Sequence, residues 1–504
     1  MNKEKIITLE KLLSGVEYKG NNVPLDVNIK DIDYNTTKAG EGVVFIGVSI
    51  LGSIDDGDNL AKLAYQKGCR IFITENLLDL PSDSTQIIIM DARKVFARIS
   101  ANFFEEPAKK LKLIGVTGTS GKTTTTYMIQ KILQENGKKA GVIGTLGAFW
   151  EGIQKTTQNT TPEPYETQKL LYEMYNDGCE MVAMEVSSLG LLVHRVDHIQ
   201  FYIGVFTNIS QDHIGGFEHK TYEEYYGCKK ELFKHCDNAV GSIDDCASKD
   251  MLSLVNGKKL YFGIKQESDY QAFNIKQNLK QNDSYLGVQF DLKVGEKVYE
   301  NIGISMPGVF NVYNALAAIA VCQQFKIEID NMRNALLKVK VEGRVEPVLI
   351  SDDYDILINY AHNGKSLKEL LESIQNYNPK RIICLYGSVG DRAQIRRTEM
   401  GLISGKMCDL SILTSDDPNF EDQSAIIDEI ANGVKQSGGN YIKIPEREKA
   451  IKYAIENLQK GDILILAGKG HEKFQKILGQ KFYLDEKKCC LEALQERKEL
   501  KFKK

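Results

Sequence analysis

The sequence predicts an α/β protein of three domains in series, residues 1–108, 109–342 and 343–504. Three observations predict it. The chain has 504 residues, about three domains at roughly 100–200 residues each. Apolar strands alternate with helical patterns in the middle and last parts, the signature of mostly parallel sheets covered on both faces. A Gly/Thr/Ser loop joins one such strand to the helix after it. Composition agrees: 42% hydrophobic, 26% charged and only 10 prolines, enough to bury several cores and unlike a disordered chain.

Residues 1–108 mix helices with short strand-like runs such as Gly42–Val48 and Arg70–Thr74, and end at Glu105-Glu106-Pro107, which reads as a linker. The middle part opens on the apolar strand Leu111–Val116, followed by the Gly/Thr/Ser loop and a helical pattern from Thr123 to Gln134. Strands follow at Met181–Val186 and Tyr202–Phe206. From Gly343-Arg344 the alternation repeats, with strands at Ile356–Ile358, Arg381–Tyr386, Leu410–Leu413 and Asp462–Ala467. There are no repeats and no low-complexity segments.

Several function classes fall away. The net charge is −4 and no basic segment precedes the tail Lys501-Phe502-Lys503-Lys504, which argues against nucleic acid as the partner. No apolar run approaches the ~18 residues that span a bilayer, and Met1-Asn2-Lys3-Glu4-Lys5 does not open a signal peptide. The 10 cysteines are scattered, with Cys489-Cys490 the one adjacent pair and no CxxC. A reduced, cytoplasmic monomer without a zinc ribbon is expected.

The loop Gly118-Thr119-Ser120-Gly121-Lys122-Thr123-Thr124 lies between strand and helix, where backbone N–H groups and the helix dipole favour phosphate. Its glycines let the backbone approach the phosphates, Lys122 would reach the β- and γ-phosphates, and the Thr123 hydroxyl would ligate Mg²⁺. An ordinary glycine turn does not account for Gly-Lys-Thr in this context. Val116 stands where the general phosphate-loop pattern has a further glycine. Two more chemical groups follow strands of the same sheet: Glu185 in Met184-Glu185-Val186-Ser187-Ser188, and Asp212-His213 after Thr207-Asn208-Ile209-Ser210-Gln211. Parallel strands end on one edge, so a carboxylate and an imidazole would reach the metal and nucleotide together. Alone, Glu185 could be a merely exposed strand-end acid and His213 a structural histidine.

Together the short Gly-Thr-x-Gly-Lys-Thr loop, Glu-Val-Ser-Ser and Thr-Asn-x-Ser-x-Asp-His resemble the signatures of the Mur ligase family. That resemblance implies an N-terminal uridine-nucleotide-binding α/β domain, a central phosphate-loop ATPase domain with a parallel sheet, and a Rossmann-like C-terminal domain. It implies Glu185 and His213 as magnesium ligands, with a carbamylated lysine as a third. The matching lysine is Lys229, beside Lys230; without the family both read as solvated helix charges. Asn311 and Asn314 resemble the family's adenine-side segment, helix capping being the plainer reading. Arg344 matches its hinge arginine, which approaches the γ-phosphate, and Asn359 stands at the position that contacts the ATP ribose.

Asn159-Thr160-Thr161-Pro162, Glu185–Ser188 and His194-Arg195 are similar to the tripeptide-synthetase branch. By match, Thr160, Thr161, Ser187 and Arg195 would hold UDP-N-acetylmuramoyl-L-Ala-D-Glu, with Thr36 in the uridine domain. Arg392, Asp416, Asn419, Gly468 and Glu472 fall where that branch binds the incoming amino acid. Enzymes adding diaminopimelate read Asp-Asn-Pro-Arg, and the arginine pairs with the distal carboxylate. This chain reads Asp416-Asp417-Pro418-Asn419. Asn419 cannot make that charge-assisted contact, worth ~1.5–3 kcal/mol, and Asp417 would attract an ammonium, so lysine is expected ahead of meso-diaminopimelate. Thr37, Leu189, Glu342 and Asn359 also depart from the family's residues. The expected activity is an ATP- and Mg²⁺-dependent, ADP-forming ligase acting through an acyl phosphate. A folylpolyglutamate-type ligase is disfavoured by the roughly hundred residues ahead of the loop; a degenerate nucleotide-binding scaffold is the non-enzymatic alternative.

Overall fold

The computed structural model describes residues 5–20, 23–48, 57–210, 219–281, 285–391 and 395–502. Packing divides the chain into two compact units, Met1–Tyr261 and Phe262–Lys504.

The first unit holds a parallel sheet of Asp31–Asp33, Val43–Ile46, Ile71–Thr74 and Thr85–Ile88, in chain order among the described residues. Val43–Ile46 and Ile71–Thr74 are buried at every position, as strands covered on both faces must be. Helix Ala92–Phe103 packs Phe96, Ile99 and Phe103 against Val44, Ile46 and Ile73; Ala61 and Ala64 of helix Gly57–Gln66 cover Phe45 and Phe72 on the other face. The expected linker is instead a packed turn. Glu105 and Glu106 are left-handed (φ 61° and 48°), and Pro107–Lys110 forms a short 3-10 turn with Pro107 and Ala108 buried.

The larger sheet of this unit positions the site. Its parallel strands lie in the spatial order Ala140–Gly144, Met181–Glu185, Lys112–Thr117, Phe201–Phe206, Cys236–Ser242. The chain places two strands on one side of Lys112–Thr117 and then crosses to the other, creating a topological switch point, where ligands bind outside the strands' carboxyl ends. Register aligns those ends: Glu185 lies opposite Val116, Phe206 opposite Thr117. Gly115 is required by the adjacent strand, since a Cβ there would meet the Phe201 ring at 2.8 Å.

In the second unit, Tyr270–Gln281, Tyr285–Val294 and Lys297–Ile304 form an antiparallel meander against which helix Val309–Gln324 packs. The meander was not anticipated, because Asn, Gln and Lys dilute its alternating pattern. A six-stranded sheet runs in the order Glu346–Leu349, Tyr354–Asn359, Asp462–Ala467, Arg381–Tyr386, Leu410–Leu413, Tyr441–Lys443, parallel except for the first pair. Three of its strands match the expected bounds residue for residue. Beneath its loops, Arg447 and Glu486 form a pair with side chains 0% and 1% exposed and Nε···Oε1 2.7 Å apart. Arg447 also donates to the carbonyls of Ser415 and Ala467, satisfying a charge that would otherwise be costly to bury. Among the described residues no helix is long and apolar enough to cross a membrane.

Candidate active site

The phosphate-type loop closes between strand Lys112–Thr117 and helix Lys122–Glu135. Gly118 (φ 150°) and Gly121 (φ 88°) take backbone conformations that side chains avoid, and a Cβ on Gly118 would run into the Thr207 hydroxyl. The segment after the neighbouring strand braces the loop. Thr207 Oγ1 donates to Ser120 O at 2.7 Å, Asn208 Oδ1 accepts from Ser120 N at 3.1 Å, and Ser210 N donates to Thr119 Oγ1 at 3.0 Å. Thr124 is buried in the first helical turn. Lys122 Nζ donates to Gly118 O (2.9 Å) and Thr119 O (3.1 Å). Lys229, expected as a solvated helix residue on its own pattern, is 1% exposed. Its Nζ also reaches Gly118 O, at 3.0 Å, and sits 4.4 Å from the Tyr225 ring centroid. The Lys122 ammonium brings positive charge to the loop, which suits a polyanion.

Glu185 ends its strand 1% exposed. Its Oε2 accepts from the Thr123 hydroxyl at 2.9 Å, which places the two expected metal donors together. The residues expected on the substrate side gather round it. Thr161 Oγ1 donates to Glu185 O (3.0 Å) and accepts from Ser187 N (2.9 Å), while Ser187 Oγ caps the short helix Ser188–Leu192 by accepting from Gly190 N. Thr160 lies one hydroxyl further out, 3.0 Å from Thr145 Oγ1. Arg195 is 6% exposed, held by Glu163 Oε1 (2.7 Å from Nη2) and donating from Nη1 to Thr161 O. Glu163 is shared: its Oε2 takes Arg93 Nη2 at 2.8 Å, and Arg93 also donates to Val193 O. Burial and the carboxylates of Glu163 and Glu166 push the Tyr34 phenol up to about 12. Thr36 is buried and left-handed (φ 64°), its carbonyl accepting from Lys67 Nζ.

The second unit assembles its own cluster at the strand ends. Lys469, 0% exposed, stands 2.7 Å from Asp417 Oδ1, 2.7 Å from Glu472 Oε2 and 3.6 Å from Asp416 Oδ1. Burial opposes its charge, and the carboxylates of Asp416, Glu472 and Asp417 outweigh it, raising the ammonium above its ordinary range. This corrects the expectation for Asp417: the ammonium it attracts is Lys469's own, and its Oδ1 also accepts from Lys476 N at 2.9 Å. Gly468 (φ 108°) lies where a Cβ would sit 2.5 Å from Asp416 Oδ2. Asn419 is left-handed (φ 52°) and turns its amide to Gly390 O at 3.3 Å. Arg344 stacks 4.7 Å over Tyr360, whose hydroxyl approaches Glu472 Oε1 at 3.4 Å. His471 packs on the same tyrosine at 5.0 Å.

Asn359 spends its side chain locally, Oδ1 accepting from Ala361 N at 2.7 Å. Asn311 and Asn314 are buried. The first donates to Pro307 O, the second to Asn311 Oδ1, and the helix N-cap is Gly308, so neither asparagine is the cap. His213 and Arg392 lie outside the described residues. Among the described residues no group of three or more His, Cys, Asp and Glu side chains forms a metal cluster; the donor set around Thr123 is of oxygen from hydroxyl and carboxylate. Thr145, Glu163, Arg93 and Lys469 were missed by sequence reasoning. Gly144-Thr145 at a strand end and Lys469 between two glycines were the available signals.

Two family models match the chain: the Mur ligase middle domain over residues 116–322, and the Mur ligase glutamate ligase domain over residues 343–470. The chain is 39% identical to the UDP-N-acetylmuramoyl-L-alanyl-D-glutamate–2,6-diaminopimelate ligase of Caldanaerobacter subterraneus subsp. tengcongensis, over 97% of this chain and 99% of that protein. A solved structure of a ligase of that same name superposes with a TM-score of 0.69 at 25% identity, covering 98% of this chain and 99% of that one. The MurF ligase of Thermotoga maritima, solved with ADP, shares the fold at TM-score 0.64 and 17% identity, over 94% and 98% of the two chains.

One prediction concerns the acid side of stability. Burial, then the charges of Arg344 and Lys469, push the His471 imidazole from 6.5 down to about 4. Between those values the unfolded chain binds a proton that the folded protein refuses. The contribution of His471 is therefore complete above about pH 6.5 and is lost as pH falls toward about 4. Urea unfolding across this window is expected to show a smaller acid loss for His471→Gln than for the unaltered protein. An equal loss in both assigns the effect to other groups.

Proposed function

The chain belongs to the Mur ligase family, and on that footing we propose its reaction: ATP-dependent addition of 2,6-diaminopimelate to UDP-N-acetylmuramoyl-L-Ala-D-Glu, with release of ADP and phosphate, in peptidoglycan precursor synthesis. The observation that carries this reading is the meeting of Lys122, Thr123 and Glu185 at one sheet edge, in a chain similar along its length to an enzyme of that name.

The chemistry follows from these residues. A carboxylate is a poor electrophile, so its oxygen first takes the γ-phosphoryl group of ATP, giving an acyl phosphate and ADP. The incoming amine then attacks the acyl carbon, loses a proton, and phosphate leaves. Lys122 and the loop amides would hold phosphate charge. Thr123 and Glu185 fit Mg²⁺, being hard oxygen donors 2.9 Å apart, with His213 and a carbamylated Lys229 as the further ligands; when bound, the ion would neutralise charge on the phosphates. Thr160, Thr161, Ser187 and Arg195 would seat the dipeptide end of the nucleotide substrate, and Thr36 its uridine side. Arg344, Asn311, Asn314 and Asn359 keep their nucleotide assignments on family resemblance, as do the domain bounds 1–108, 109–342 and 343–504.

For the acceptor, Asp416, Gly468 and Glu472 would take the amine side and Arg392 the carboxylate side, on family resemblance. The neutralisation of Asp417 by Lys469 removes part of the case for lysine, and the curated relative named above is a diaminopimelate ligase. Lysine remains the second reading because Asn419 offers no guanidinium to a distal carboxylate.

Two experiments check this. With the UDP-dipeptide, ATP and Mg²⁺, parallel incubations with meso-diaminopimelate, lysine and ornithine are weighed by mass spectrometry. A diaminopimelate adduct is expected to dominate, a lysine adduct would establish the second reading, and ADP release without any adduct would contradict both. Separately, Lys229→Ala is expected to lose turnover, with partial recovery in short carboxylic acids that replace the carbamate; full activity without them rejects the assignment.

A further inference from the structure

We propose that Thr145 is a positioning residue of the phosphate-loop edge, holding the Glu185 carboxylate in one orientation and tying it to the substrate-side hydroxyl of Thr160. This role rests on Glu185 being a magnesium ligand, and it adds a residue that the ligand set does not contain.

Sheet register creates the contact. Strand Ala140–Gly144 runs parallel to Met181–Glu185 with Ile143 opposite Met184, so the next residues, Gly144 and Glu185, lie side by side. Only glycine fits there, since a Cβ on residue 144 would run into the Glu185 carboxylate. The carboxylate therefore lies across Gly144 and reaches Thr145 twice. Oε1 accepts from the Thr145 backbone N at 2.8 Å, and Oε2 accepts from the Thr145 hydroxyl at 3.2 Å. The turn itself is pinned by Thr157, whose hydroxyl donates to Gly144 O at 2.9 Å.

Each oxygen of Glu185 thus has a defined partner from the same residue, which fixes the rotation of the carboxylate about its last bond. Oε2 is left shared between Thr145 and Thr123, the loop hydroxyl 2.9 Å away. When Thr123 turns to a cation, Thr145 keeps Oε2 facing it. The Thr145 hydroxyl also stands 3.0 Å from Thr160 Oγ1, so the orientation of the metal-side carboxylate and the placement of the substrate-side threonine depend on one group. Hydrogen bonds that orient a ligand from behind typically change metal affinity or activity about 10–100-fold when removed.

The test uses the whole protein and measures ADP binding by calorimetry with and without Mg²⁺. Thr145→Val keeps the backbone N–H and the side-chain shape and deletes only the hydroxyl; Thr145→Ser keeps the hydroxyl. In the unaltered protein Mg²⁺ is expected to tighten ADP binding. In Thr145→Val that gain is expected to shrink about 10-fold or more, with metal-free ADP binding unchanged, and Thr145→Ser is expected to restore it. In turnover assays the valine variant lowers kcat with little change in KM for the amino acid. Should the valine variant misfold, Thr145→Ala, at this half-buried position, reads the same quantity. A gain in the hydroxyl-free variant within about twofold of the unaltered protein overturns the proposal, as does a serine variant that behaves like valine. If the unaltered protein binds ADP equally with and without Mg²⁺, the metal-ligand reading of Glu185 fails and Thr145 falls with it.

Discussion

Parallel register at the carboxyl ends of the central strands is the constraint on which the site of the first unit depends. Glu185 opposite Val116, and Phe206 opposite Thr117, bring three loops to one level. No residue of the site reaches far: the Thr123 hydroxyl donates to the Glu185 carboxylate and the Thr161 hydroxyl to the Glu185 backbone carbonyl. A slip of one residue in the strand Met181–Glu185 would turn Glu185 to the opposite face of the sheet. The apolar runs buried on both faces of these strands therefore do more than stabilise. They hold the distances of the chemistry.

The two units solve the problem of buried charge in opposite ways. At the loop, the Lys122 ammonium rests on the carbonyls of Gly118 and Thr119, a cation that suits phosphate. In the second unit, three carboxylates surround the single ammonium of Lys469, and the surplus is negative. A polyanion at one place and an amine at the other are two of the three reactants of an amide ligase driven by ATP. Arg447 with Glu486 adds no net charge and serves as a staple beneath the loops.

Much of this was legible in the sequence, for physical reasons that differ from residue to residue. Arg381–Tyr386 and Asp462–Ala467 were found to the residue, because a strand buried on both faces is an unbroken apolar run with sharp polar ends. The loop was found because phosphate demands glycine, lysine and a hydroxyl in fixed order. The meander at 270–304 was missed because Asn, Gln and Lys interrupt its sequence pattern and apolar residues such as Phe273 and Val298 are exposed, which masks alternation. Thr145 and Lys469 were missed because their roles come from strands adjacent in space and distant in the chain. Asp417 was misread for the same reason: its partner, Lys469, is 52 residues away, and a carboxylate's value to a ligand depends on which cation already holds it. The relation of Asn311 and Asn314 to each other was likewise invisible as spacing, since the pattern of a helix start allows capping and the structure gives that place to Gly308.

The central claim is that this sheet edge activates a substrate carboxylate by phosphoryl transfer. It is tested most directly by labelling the D-Glu side-chain carboxylate of the UDP-dipeptide with ¹⁸O and following the label during turnover with ATP, Mg²⁺ and the amino acid. Passage through an acyl phosphate sends a labelled oxygen into the released phosphate for every amide formed. Phosphate released without label, alongside normal amide product, would contradict the account.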